Sequence, residues 1–330
     1  MSFMPIPLIP VLIAISGAGA TGIYKGCKAV YKKKKASKIN NEANEIINDA
    51  KGKLNYFRKM SAKALETLGL EKANVLDSSV NRFVKDFERI KNIELKDSIG
   101  IQESKKIKLD KMALKEMSEL GSFGTSIVSG MGTGAVGGAL TAFGAYSGAG
   151  WLATASTGTA ISSLSGAAAT NATLAFFGGG SLAAGGFGIA GGVVVLGGIV
   201  AAPALAIMGF IIDARAQKDV EDALKNVAIA RKNAEEMSLA SDMCQAIKKR
   251  SELFTQKLTE LNNRFLALLN KLEEILGSRG TDYNSFSETD KGIVASTAAL
   301  AISIKSIIDT PLLTKDGKLT DESLEKLNSL

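Results

Sequence analysis

The chain has 330 residues, of which 46% are hydrophobic, with 34 Gly, 5 Pro, no His and a formal net charge of +7. The absence of His excludes Ser-His-Asp relays, His-based acid–base chemistry and His-ligated metals, so neither an enzyme nor a cofactor is expected. The positive charge is concentrated at the front: residues 1–119 hold 23 Lys and Arg against 14 Asp and Glu, whereas residues 213–330 hold 17 against 19.

Residues 1–35 read as an apolar N-terminal helix with a basic flank. Phe3 to Tyr24 is free of charge and just long enough to cross a bilayer. The positive charges follow the apolar stretch instead of preceding it, which argues against a cleaved signal peptide. Pro5, Pro7 and Pro10 weaken the start of a helix. The segment is therefore either an uncleaved anchor or an interfacial or protein-buried helix. The run Lys32, Lys33, Lys34, Lys35 is expected to contact anionic phospholipid headgroups, because polybasic segments beside apolar ones are drawn to such surfaces. Aromatic residues are not interleaved with these charges, so nucleic acid is not expected as a partner.

Residues 36–119 form a charged arm. Ala43, Ile47, Ala50, Leu54, Phe57, Ala64 and Leu68 fall mostly at three- and four-residue steps, the spacing of one apolar helix face. Val80, Phe83, Phe87 and Ile90 repeat the pattern, and a break is expected between Asp97 and Glu103. Cys27 and Cys244 stand outside any metal-ligand spacing and read as small buried or lipid-facing thiols.

Residues 120–212 carry no Asp, Glu, Lys, Arg or His over 93 positions. A stretch of this length without charge is hard to keep on a water-exposed surface and fits two to four membrane-length helices. A soluble Gly/Ala-packed core, covered by the arms until it is triggered, fits the same composition. Gly130, Gly134 and Gly138 recur every four residues, as do Gly180, Ala184, Gly188 and Gly192. Small residues at that spacing let two helices approach closely in lipid, so these positions are expected to pack membrane helices together. Thr154, Thr157, Ser162, Ser165 and Asn171 are candidates for a polar lining. Gly178-Gly179-Gly180-Ser181 lacks the Lys and the strand–loop–helix setting of a phosphate-binding loop, and no small-molecule substrate is expected.

Residues 213–276 read as one long coiled-coil-like helix. Phe254, Leu258, Leu261, Phe265, Leu268, Leu272 and Ile275 alternate steps of four and three, a heptad seam. In residues 277–330, a loop and short helices, Ser287 and Asp290 form a capping box for an apolar helix from Gly292 to Ile308 that Pro311 ends. Lys291, Lys305 and Asp309 bound this helix, which is expected to pack on protein.

The run from Thr154 to Gly186, TASTGTAISSLSGAAATNATLAFFGGGSLAAGG, resembles the signature of a widespread family of uncharacterised bacterial proteins with a basic N-terminal arm, a Gly/Ala-rich apolar centre and a long C-terminal helix. That resemblance implies a bacterial inner-membrane protein, or a cytoplasmic one that inserts conditionally. The architecture is also similar to helical pore-forming toxins of the haemolysin type, with residues 120–212 in the place of the membrane-entering head.

The resulting expectation is an all-α protein in which long antiparallel coiled-coil-like helices flank a central Gly/Ala-rich membrane-inserting region. It would associate with itself as a homo-oligomer and permeabilise or remodel a bilayer. The alternative is a non-conducting membrane-anchored coiled-coil scaffold.

Overall fold

The computed structural model describes residues 20–93, 111–130, 136–146, 220–314 and 317–329. Among these residues every regular element is helical: α1 (Ala20–Val75), a π-helical turn (Leu76–Val80), α2 (Asn81–Phe87), α3 (Lys111–Gly130), α4 (Val136–Ala145), α5 (Val220–Arg279), a 3-10 turn (Tyr283–Ser285), α6 (Glu288–Asp309) and α7 (Asp321–Asn328). The all-α expectation therefore holds for them. α1 runs through Lys35, and α3 runs through Glu119 and Leu120. Two compact units result, and each takes part of α1 and part of α5, which divide after Gly52 and Glu236.

The first unit joins the α1 portion up to Gly52 to the start of α5. Its contact is built from small side chains: Ala43, Val227 and Ala230 are buried together, with Ile39, Ile46 and Ile47 against them. Ala36 and Ala223 are fully buried as well. Asn226 donates to the side-chain oxygen of Asn40 at 3.0 Å, which satisfies the one polar side chain buried on this face of α1 among the described residues. Arg231 pairs with Glu42 at 3.4 Å in the open.

The second unit holds the larger core. Phe83 lies 5.1 Å from Phe87 and 5.7 Å from Phe265, between ring centroids, and all three rings are buried. The second apolar stripe thus falls where its spacing placed it, with Val80, Phe83, Phe87 and Ile90 buried. A turn follows Phe87, ahead of the break expected from Asp97, and residues 94–110 lie outside the described ones. Ser287 accepts from the Asp290 backbone while Asp290 accepts from that of Ser287, the capping box read from sequence, and α6 ends two residues before Pro311. Val294, Ala298, Ala301, Ile304 and Ile308 form its buried face. Among the described residues α6 is also the one helix long and apolar enough to cross a membrane by length and composition.

Within each unit the α1–α2 portion and the α5 portion run parallel, where antiparallel long helices were expected. In the first unit Asn40 meets Asn226 and Glu42 meets Arg231. In the second, Glu71 accepts from Thr259, Arg82 donates to Asn270 and Glu273, and Lys91 bonds to Thr281 and Tyr283. Partner numbers rise together within each unit. Antiparallel neighbours come from short connections, whereas residues 88–219 separate α2 from α5.

The expected seam of α5 is covered unevenly. Phe254, Leu258, Phe265, Leu272 and Ile275 are buried, whereas Leu261 and Leu268 are half-buried and Leu269 is fully buried. One row repeats every seven residues without a gap, since Met237, Cys244, Ser251, Leu258, Phe265 and Leu272 are all buried.

Candidate functional site where the charge-free segment meets the charged arm

The described part of the charge-free segment is the end of α3 and all of α4, and both lie on protein. Leu120, Phe123 and Ile127 of α3 are buried, as are Leu140, Ala142, Phe143 and Ala145 of α4. The Phe123 and Phe143 rings meet edge to face at 5.4 Å, a favourable arrangement of their quadrupoles. α3 packs along the π-helical turn and α2 in the opposite sense. A side chain at Gly121 would strike Asn81, and one at Gly124 would strike Leu76 and the Ala73 carbonyl. Asn81 donates to the Gly121 carbonyl at 3.2 Å and to the Thr125 hydroxyl at 3.0 Å, and Thr125 donates to Asp77 at 2.5 Å.

α1 and α4 cross at two glycines. A Cβ on Gly69 would collide with the Leu140 carbonyl, and a Cβ on Gly144 would collide with the Leu65 carbonyl. Each helix thus presents a glycine to the other's backbone, the close approach that larger residues forbid.

Lys72 lies beside this crossing with its side chain fully buried. Its ammonium donates to the carbonyls of Phe143 at 3.2 Å, Tyr146 at 3.3 Å and Ile308 at 3.1 Å. It also sits 5.6 Å from the centroid of the Phe143 ring. The carbonyl acceptors belong to the C-terminal ends of α4 and α6, where backbone oxygens lack partners within the helix and the dipole favours a cation. An ammonium has three N–H donors, and here each finds an oxygen. Burial pushes Lys72 down to about 7, and the negative charge of Asp309 opposes that shift. Asp309 in turn pairs with Lys305 at 2.6 Å, and Lys305 with Glu116 of α3 at 3.1 Å. The Leu312 and Leu313 amides both donate to the Ala145 carbonyl, at 2.9 and 3.0 Å.

Lys72, Gly69 and Gly144 were not among the residues singled out from sequence. Of those that were, Gly130 is the last residue of α3 and Gly138 lies within α4. Gly134, Gly180, Ala184, Gly188 and Gly192 lie outside the described residues, as do Thr154, Thr157, Ser162, Ser165 and Asn171. Lys32, Lys33, Lys34 and Lys35 are all exposed on α1, next to Val30 at 68% and Tyr31 at 70% exposure. Cys244 is buried, and burial pushes its thiol up. Among the described residues no cluster of three or more acidic or Cys side chains is arranged to hold a metal ion. Compared with known proteins, the chain matches no family model, no curated protein and no solved structure.

Proposed function

We propose that this is a membrane-inserting, self-associating helical protein that permeabilises or remodels a bilayer, with residues 120–212 as the inserting part. The observation that carries the reading is the 93-residue stretch without a single charge, attached to strongly charged arms. The described apolar residues of α3 and α4, among them Leu120, Phe123, Ile127, Leu140 and Phe143, are buried against protein, which is how a stored inserting segment would be kept from water. Exposed Val30 and Tyr31 beside Lys32–Lys35 supply the pairing of apolar and cationic groups that suits an anionic membrane surface. The reading places the protein at the bacterial inner membrane, or in the cytoplasm until insertion.

A non-conducting membrane-anchored scaffold is the second reading. Its support is the length of the two arms, α1 (Ala20–Val75) and α5 (Val220–Arg279), both of them charged on their exposed faces.

Flotation of the purified protein with phosphatidylglycerol-containing liposomes, combined with release of an enclosed dye, separates these readings. Flotation with leakage is expected. Flotation without leakage favours the scaffold, and protein that stays at the bottom of the gradient overturns both.

A further inference from the structure

From the convergence of two helix ends on one buried cation, we propose that Lys72 and the Leu312–Leu313 turn form a latch that holds α4 against α1 and couples its release to movement of the C-terminal end of α6. The proposal rests on the membrane-inserting reading only for the purpose of release.

Three features define the latch. Lys72 reaches α4 at Phe143 and Tyr146 and reaches α6 at Ile308, so one side chain of α1 ties both ends. The residues after α6 grip the same end of α4 a second time, through the two amides that share the Ala145 carbonyl. The reciprocal glycine contact leaves no space between the crossing backbones for a side chain. Tyr146 is also the last described residue before 73 further positions, 147–219, most of them in the charge-free stretch.

The helix ends also account for why the device needs a cation. Withdrawing α6 by a few ångströms removes the Ile308 carbonyl and the Leu312 and Leu313 amides together. Lys72 would then be a buried ammonium short of an acceptor, and the α4 terminus would hold an uncovered carbonyl, both of which are costly away from water. The two contacts therefore break together, which makes the coupling two-state instead of graded.

The test compares the full chain with Lys72→Met, which keeps length and apolar volume and removes the donors. Amide hydrogen exchange is expected to accelerate about tenfold or more over residues 140–146 and 307–313, with residues 254–272 unchanged. Gly144→Ala, which strikes the Leu65 carbonyl without touching Lys72, is expected to give the same local pattern and serves if Lys72→Met does not fold. Unchanged exchange at both helix ends overturns the latch, as does acceleration spread evenly through residues 254–272, which would make Lys72 an ordinary core residue. Liposomes of phosphatidylcholine and phosphatidylglycerol then separate the two ideas. A larger floating fraction for the variants than for the wild type supports release by the latch. Local acceleration with no flotation of any form supports the latch and overturns the membrane reading.

Discussion

The two compact units each hold part of α1 and part of α5 but are built of opposite materials. In the first, Ala36, Ala43, Ala223, Val227 and Ala230 are the buried apolar side chains, and its buried polar group is an uncharged amide bonded to another amide. In the second, Phe83 of α2 packs on Phe265 of α5, and a fully buried ammonium of α1 is held by three carbonyls at the ends of α4 and α6. Alanine burial removes little apolar area per residue, whereas a buried Phe removes 150–250 Å² or so. The first unit is accordingly a narrow seam that can open at small cost, and the second is where burial concentrates stability.

The strongest way to break this contrast is Phe265→Ala. The ring is fully buried against Phe83, so the second unit should lose about 3–5 kcal/mol, read as a lower midpoint in urea. A loss below about 1 kcal/mol would place the stabilising core elsewhere.

The pH dependence of unfolding comes next. Lys72 is pushed down to about 7 from its ordinary 10.5, so between those values the unfolded chain binds more protons than the folded one. Burial of the charged form thus penalises folding below about pH 7, and the penalty fades as pH rises toward 10.5. Urea unfolding from pH 7 to 10 should show stability increasing by up to several kcal/mol, and Lys72→Met should remove that slope. A flat wild-type profile would mean that the three carbonyl oxygens keep the ammonium charged throughout. The Asn40–Asn226 pair of the first unit has no proton to exchange in this range, so its local opening should not follow the same curve.

The smallest effect expected is that of Val227→Ala. Val227 sits in the alanine seam at 8% exposure beside an open groove lined by Ile39, Leu224 and Arg231, so the site can relax. About 1 kcal/mol should be lost, confined to exchange of residues 36–50 and 220–236. A loss comparable to that of Phe265→Ala would erase the distinction between the units.

Features that depend on neighbouring residues were legible in advance. The capping box at Ser287 and Asp290, the end of α6 before Pro311 and the buried stripe of Val80, Phe83, Phe87 and Ile90 all follow from spacing along one helix. Such patterns are complete within a few turns, so the helix end and its apolar face are marked before any distant partner covers them. The half-burial of Leu261 and Leu268 beside fully buried Leu269 shows where this reasoning stops, because spacing along one helix does not say which of two adjacent apolar residues a neighbour covers.

What could not be read was everything set by residues far apart in the chain. Lys72 stands among many lysines of a charged helix, and nothing near it in sequence marks it as buried, because its acceptors are 71, 74 and 236 positions away. Gly69 and Gly144 belong to no common repeat, yet each is required by the other's backbone. The parallel sense within each unit has the same origin, since it is set by pairs such as Asn40 with Asn226 and Glu71 with Thr259, which lie far apart in the chain. Composition and periodicity establish which segments are helical and which face of each is apolar. Which faces meet, in which direction, and around which buried charge is settled by long-range contacts, because the free energy of burying a group belongs to the pair of surfaces that close over it.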